Sequence, residues 1–242
     1  MCLIAIAHRV SERYPFILAA NRDEDYERPS REAHWWEDAP FVFGGRDVVH
    51  GGSWLAITNT ARFAAVTNLR GAVPRPRSRG ALVRDFVTTG TLPDDTSEYS
   101  GFHLLAGQAG GKIEHLTHES RTTLSPGIHS ISNAPLGEEW PKTTLAIEEM
   151  QSVLDLDDPG TMLVALMHFL TASRNTGRVE SEVFIAGDRY GTRASTVIIA
   201  GEREIVFAEQ TFARGGIAIR SYSRAFPIVG SSSTSPGFGT TA

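Results

Sequence analysis

Cys2-Leu-Ile-Ala-Ile-Ala-His8 and Phe16-Ile-Leu-Ala-Ala-Asn-Arg-Asp-Glu24 decide how this chain is read. Each is a short apolar run, and a polar turn around Ser11–Tyr14 separates them. Runs of this length bounded by turn residues predict buried β-strands. If the two strands are antiparallel neighbours, the polar cluster Asn21-Arg22-Asp23-Glu24 at the end of the second returns beside the start of the first. That start carries Cys2, the only cysteine of the 242 residues.

Working outward, "SWLAITN" and "RFAAVTNL" form a second such pair with a turn at Thr58–Ala61, and both pairs read as hairpins of one antiparallel sheet. "GAVPRPRSRG" is a loop, with two prolines and three arginines. "ALVRDFVTTG" spaces Leu82, Val83, Phe86 and Val87 at helical intervals and ends on Gly90, a helix-terminating residue. "FHLLAGQ", "KIEHLTHES" and "GIHSISN" read as strands. Trp140–Leu154 and "TMLVALMHFL" read as helices, and "STVIIAG" with "EIVFAEQTF" as a closing hairpin around Gly201–Arg203. Helices grouped between runs of strands point to α+β layering, with antiparallel sheets covered by helices, and not to a βαβ repeat. The chain reads as one domain over residues 1–229, and the small polar residues of 230–242 read as a disordered tail.

Composition excludes several classes of function. Net charge is −5 with no basic stripe, which argues against a nucleic-acid partner. One cysteine allows neither an internal disulfide nor a Cys-rich metal site. No run approaches the roughly 20 apolar residues of a membrane helix, so no stable membrane insertion is expected. Cys2–Ala7, cut short by His8 and Arg9, does not make a signal peptide. A reducing, cytoplasmic location follows as an expectation. None of the eight histidines forms HExxH, and His115 and His118, three apart on an apparent strand, fall on opposite faces. Gly44-Gly45 and Gly51-Gly52 have no following Lys-Ser/Thr, which argues against nucleotide binding. The sequence carries no signal for an oligomeric state.

Position 2 has its own chemistry. If the initiator Met is removed, Cys2 gains a free α-amine with a pKa of about 8 on the carbon that bears the thiol. That amine can act as base for its own side chain, so one residue supplies nucleophile and base. Arg22 can pair with a thiolate or a substrate carboxylate and lower the thiol pKa, and Asp23 can orient the amine. Read individually, Cys2 suits a buried strand start better than a nucleophile, and the charged cluster a solvated turn.

Cys2 with "AANRDE" resembles the NRDE family, also called the transport and Golgi organisation 2 family. Arg28-Pro29, "GGRD" (44–47), "GGSWLAI" (51–57), "TNLR" (67–70), "SNAP" (132–135) and "YGTRASTVI" (190–198) extend the resemblance to about Phe212. It implies a four-layer αββα sandwich of the N-terminal-nucleophile hydrolase type. More distantly, the chain is similar to choloylglycine hydrolases and penicillin V acylases, which begin with Cys after Met removal. That likeness implies Cys2 as nucleophile, Arg22 and Asp23 as an early Arg/Asp pair (adjacent here, unlike the family spacing), Asn133 with Asn68 as oxyanion donors, and Arg193 as a late charge-setting Arg. Each Asn also suits a turn residue bonding its own backbone. Two functions follow as expectations. One is a hydrolase cleaving a non-peptide amide or related acyl bond of a small-molecule substrate, with no cofactor. The other is a non-enzymatic carrier of a hydrophobic ligand such as haem, acyl-CoA or lipid. A single His can serve as an axial haem ligand, and His34 sits beside Trp35 and Trp36, although "AHWWED" also reads as a packed aromatic loop.

Overall fold

The computed structural model describes residues 2–174 and 176–230. One sheet contains β1 (Leu3–His8), β2 (Phe16–Asp25), β10 (Gly127–Ser132), β11 (Tyr190–Ala200), β12 (Glu204–Ala213) and β13 (Ile217–Pro227), in the order β10-β1-β2-β11-β12-β13. The other runs in chain order through β3 (Ser30–Trp35), β4 (Val42–Asp47), β5 (Leu55–Thr58), β6 (Arg62–Asn68), β7 (Phe102–Gln108), β8 (Ile113–Thr117) and β9 (Arg121–Thr123). The named strand pairs are all antiparallel. Three α-helices, α1 (Gly80–Thr89), α2 (Pro141–Val153) and α3 (Pro159–Thr171), and a short 3-10 turn at Arg214–Gly216 complete the described elements.

Alternation along the strands generates the layers. In β1 and β2, Ile4, Ile6, Phe16 and Leu18 point inward and meet Phe43, Leu55, Ile57 and Phe63 of the facing sheet. Leu3, Ala5, Ile17 and Ala19 point the other way and pack on Ala146 and Met150 of α2 and Leu166 and Leu170 of α3. Val42, Ala56 and Ala64 cover the outer face of the second sheet against Leu82, Val83 and Phe86 of α1. Both faces of these strands are buried, which is why they read as continuous apolar runs and not as alternating ones. The result is the αββα sandwich expected from the resemblance.

Helix ends follow local chemistry. Gly90 takes a left-handed conformation (φ 78°), and its N–H bonds the Phe86 carbonyl. Pro141 and Pro159 stand in the first turns of α2 and α3, and the Asp158 carboxylate caps α3 at the Thr161 N–H.

Several expectations need correction. The two early hairpins belong to different sheets: β1–β2 lies in one and β5–β6 in the other, facing across the central core. Pattern alone cannot distinguish two apolar hairpins side by side from two stacked face to face. "AHWWED" is not wholly a loop, because Ala33–Trp35 lie in β3. The closing hairpin gains a third strand, β13, almost entirely exposed, with Ile217 and Ile219 among its solvent-facing side chains and only Phe226 buried. His118 lies past the end of β8, so it forms no strand pair of faces with His115, which stacks on His103 instead. The expected tail from Ser231 onward lies outside the described residues. Among the described residues no helix is long and apolar enough to cross a membrane, and no cluster of metal-ligating side chains occurs.

Candidate active site

The β1–β2 register pairs Leu3 with Asn21, which sets Cys2 level with Arg22 and Asp23. Cys2 is half-buried, and its thiol lies 3.8 Å from the Asp23 carbonyl, which it reaches as donor. Thr192, opposite Asp23 on β11, donates its hydroxyl to Asp23 Oδ1 at 2.7 Å and accepts the Ile185 N–H at 2.9 Å. The Tyr190 hydroxyl donates to the Asp23 carbonyl at 3.0 Å. Its phenol is pushed up by burial and by the nearby Cys2 and Asp23 charges.

Asn21 serves the frame. Its amide donates at 2.8 Å to the carbonyls of Leu170 and Val183, and its oxygen accepts the Ser195 hydroxyl at 2.6 Å. Arg22 is buried with its guanidinium 4.3 Å from the Trp54 ring centroid, 3.9 Å from Glu24 and 3.4 Å from the Ser30 hydroxyl. Arg22 draws the Cys2 thiol pKa down as the sequence suggests. Burial outweighs it, and the thiol ends above its ordinary value.

Cys2 and Asp23 line a cleft of about 240 Å³ with Asn68, Trp54 and the loop ending at Arg79. Close backbone packing holds that loop: a Cβ on Gly52 would stand 2.4 Å from the Gly80 carbonyl carbon, and the Ser53 N–H bonds the Gly80 carbonyl at 3.0 Å. Arg22 and Trp54 form a wall shared with a second cleft of about 940 Å³, lined by Trp35, Phe43, Tyr222 and His34 among others. His34 holds Nδ1 2.7 Å from the Glu32 carbonyl.

The remaining expected residues divide between the two clefts. Asn68 is exposed and lines the smaller one. Asn133 is buried outside that lining and donates its amide to the Asn68 carbonyl at 2.6 Å, so it bears on the cleft through Asn68. Arg193 sits at a β-bulge between Thr192 and Ala194 and donates one guanidinium nitrogen to the carbonyls of Asp25, Tyr26 and Arg28 at 3.0–3.2 Å. It lines the larger cleft, not the one that holds Cys2.

Residues that sequence reading passed over are Trp54, Thr192, Tyr190, Arg79 and Lys142. Trp54 stands inside "GGSWLAI" and Tyr190 and Thr192 inside "YGTRASTVI", stretches that carried the resemblance without a role for these side chains. Lys142 is wholly buried at the start of α2, where burial lowers its pKa and the charges of Asp23 and Cys2 oppose that shift. Nothing in "WPK" marks it.

Comparison with solved structures gives the same architecture. The Caenorhabditis elegans N-acylethanolamine-hydrolyzing acid amidase ortholog matches with a TM-score of 0.50 at 12% identity, over 82% of this chain and 92% of that one. The C2A mutant of the conjugated bile acid hydrolase from Clostridium perfringens matches with a TM-score of 0.50 at 9% identity, over 94% and 92%. The fold is that of the N-terminal-nucleophile hydrolases. Among curated proteins, the Transport and Golgi organization protein 2 homolog of Bos taurus is 30% identical over 239 residues, 82% of this chain and 87% of the relative. The Homo sapiens homolog is 29% identical over 240 residues, with the same coverage. The family model described as Transport and Golgi organisation 2 matches residues 1–214, and the chain belongs to that family.

Proposed function

We propose that this protein is an N-terminal-cysteine hydrolase cleaving a small amide or related acyl bond in the Cys2 cleft. The observation that carries the reading is the meeting of Cys2, Arg22 and Asp23 at one end of the β1–β2–β11 strand set, on a cleft. The fold shared with an amidase and a bile acid hydrolase agrees with it.

Removal of Met1 frees the Cys2 α-amine. The amine takes the thiol proton as sulfur attacks the substrate carbonyl carbon, forming the C–S bond and a tetrahedral oxyanion. Asn68, a lining residue whose carbonyl accepts the Asn133 amide, supplies the side-chain donor to that oxyanion in this reading, a contribution of about 3 kcal/mol in comparable sites. Collapse breaks the C–N or C–O bond, and the protonated α-amine returns its proton to the leaving group. Water, deprotonated by the same amine, then cleaves the thioester to a carboxylic acid and restores the thiol. Asp23, held by Thr192, orients the amine. Arg22 favours the thiolate, and Arg193 fixes the β2–β3 turn carbonyls that back this corner.

The test is intact mass after cytoplasmic expression, followed by reaction with a small thiol electrophile and an amide screen. Loss of one Met, a single adduct and turnover abolished in Cys2→Ala are expected. Turnover unchanged in Cys2→Ala removes the nucleophile from the reading.

The larger cleft favours a second reading. Its aromatic lining suits a hydrophobic ligand such as haem, acyl-CoA or lipid, carried without turnover. With Nδ1 engaged by Glu32, His34 has Nε2 as its ligating nitrogen, so the lining offers one axial donor for haem. Saturable haem uptake lost in His34→Ala, with no turnover of any amide, favours carriage.

A further inference from the structure

The Cys2 cleft has the opposite sign to the rest of the chain. Five arginines line it (Arg22, Arg28, Arg75, Arg77 and Arg79) against the carboxylates of Asp23, Glu24 and Asp47, in a protein of net charge −5. Three of the five are already committed. Arg22 lies on Trp54 and near Glu24. Arg28 grips Asp47 through two hydrogen bonds of 3.1 and 2.7 Å. Arg77 lies 3.7 Å from Glu98 and 3.9 Å from Asp85, with its guanidinium over Tyr99.

Arg75 and Arg79 differ. Among the described residues neither has a carboxylate partner, and the one hydrogen bond of the Arg79 guanidinium runs 3.3 Å to the Gly101 carbonyl. Arg79 is half-buried, where burial lowers its pKa and the charges of Cys2 and Glu24 oppose that shift. The strap that bears both is fixed: the Arg75 N–H donates to the Ser100 hydroxyl at 2.8 Å and the Arg77 N–H to the Glu98 carbonyl at 3.1 Å. α1 begins at Gly80 with no acidic residue in its first turn, so its positive dipole end adds to the same field. Two guanidiniums without a paired carboxylate, carried beside a nucleophile on a strap whose backbone is tied down, leave their donor forks open to an oxyanion.

Resting on the hydrolase reading for its position, we infer that the substrate of the Cys2 cleft carries an oxyanion group, a phosphate or a carboxylate, bound by Arg75 and Arg79. The cleft volume of about 240 Å³ limits its contents to a small head group. The anion therefore lies within a few bonds of the carbonyl attacked by Cys2.

The experiment compares two alkylating agents of similar size, anionic iodoacetate and neutral iodoacetamide, on Cys2 of the full chain. It also records thermal unfolding with pyrophosphate and with malonate. Relative to free cysteine, the iodoacetate-to-iodoacetamide rate ratio is expected to rise about 10-fold, and Tm to rise with at least one of the two anions. Pyrophosphate alone raising Tm assigns a phosphate, and malonate alone a carboxylate. Arg75→Gln with Arg79→Gln abolishes both effects. Arg75→Gln by itself, at an exposed position, halves the effect on a fold that stands if the double variant does not. A ratio equal to that of free cysteine with no Tm shift, while Cys2 still alkylates, overturns the anion site and leaves the nucleophile standing. If Cys2 reacts with neither agent, the hydrolase reading fails, and the Tm shift alone decides the anion site: present and lost in Arg75→Gln it stands, absent it falls.

Discussion

Thr192 donates its hydroxyl to Asp23 Oδ1 at 2.7 Å while accepting the Ile185 N–H at 2.9 Å. The wholly buried hydroxyl is thereby fixed in direction, and so is the carboxylate it meets. Thr192→Val leaves the Ile185 N–H without its acceptor and Asp23 without one donor. A stability loss of about 1–3 kcal/mol is expected; on the proposed role of Asp23 in orienting the Cys2 amine, the rate of Cys2 acylation falls about 10-fold as the carboxylate loses its geometry. Thr192→Ser keeps both hydrogen bonds and restores the rate. Urea unfolding and stopped-time mass spectrometry read the two effects. Equal rates in the Val and Ser variants would remove Thr192 from the site.

Arg22 opposes the burial that raises the Cys2 thiol pKa. Without its charge, as in Arg22→Gln, the alkylation pH profile moves to higher pH. Arg22→Lys retains the charge but not the planar contact with Trp54, and gives an intermediate profile. The profiles are measured as adduct formation against pH on intact protein. A midpoint that stays in place in Arg22→Gln shows that the guanidinium does not act on the thiol.

Asn21 holds two buried carbonyls on separate segments, Leu170 in α3 and Val183 before β11. Asn21→Ala removes both donors and the acceptor of Ser195, with an expected loss on the order of 3 kcal/mol. Asn21→Asp turns a carboxylate toward two carbonyl oxygens and costs more. Denaturant midpoints rank the pair. A nearly neutral Asp variant contradicts the hydrogen bonding described.

Glu209 gives a pH dependence separate from the cleft. It is buried on β12 between the sheets, accepting the Ala33 N–H at 2.8 Å with the Thr196 and Tyr222 hydroxyls each 3.4 Å away, and burial raises its pKa to about 7. Its unfolded value is about 4.3, so between these values the folded state binds the extra proton. The stabilising contribution is complete below about pH 4 and is lost as pH rises through about 7, on the order of 3 kcal/mol across the window. Glu209→Gln holds the neutral form at every pH and flattens this fall in stability. Chemical denaturation at pH 5, 7 and 8.5 measures it, and an unchanged slope in the variant assigns the dependence elsewhere.

In the sequence, the Cys2 and Asn21–Glu24 relationship was legible because a hairpin is local. Two apolar runs, one short turn and strand geometry bring Asp23 to Cys2 without any long-range contact. The helices were legible for the same reason, through apolar spacing, Pro at their starts and Gly90 at an end. β13 was not, because its exposed side chains carry no burial pattern. Nor were β3 and β4, where glycines and charged residues interrupt the strand signal.

What the sequence determined by itself was this local order, with strands flanking a polar cluster and the family motifs that accompany it. The tertiary structure alone decided that the two hairpins face each other in separate sheets, since side-by-side and stacked arrangements bury the same apolar runs. It also decided the company around Cys2. Thr192 lies 190 positions along the chain yet belongs to the corner because β11 pairs with β2. Arg79 joins the cleft because the Gly52–Gly80 backbones touch. Arg193 faces the other cleft because a bulge turns it there. Those placements depend on sheet pairing and close packing between distant segments, for which local sequence carries no energy term.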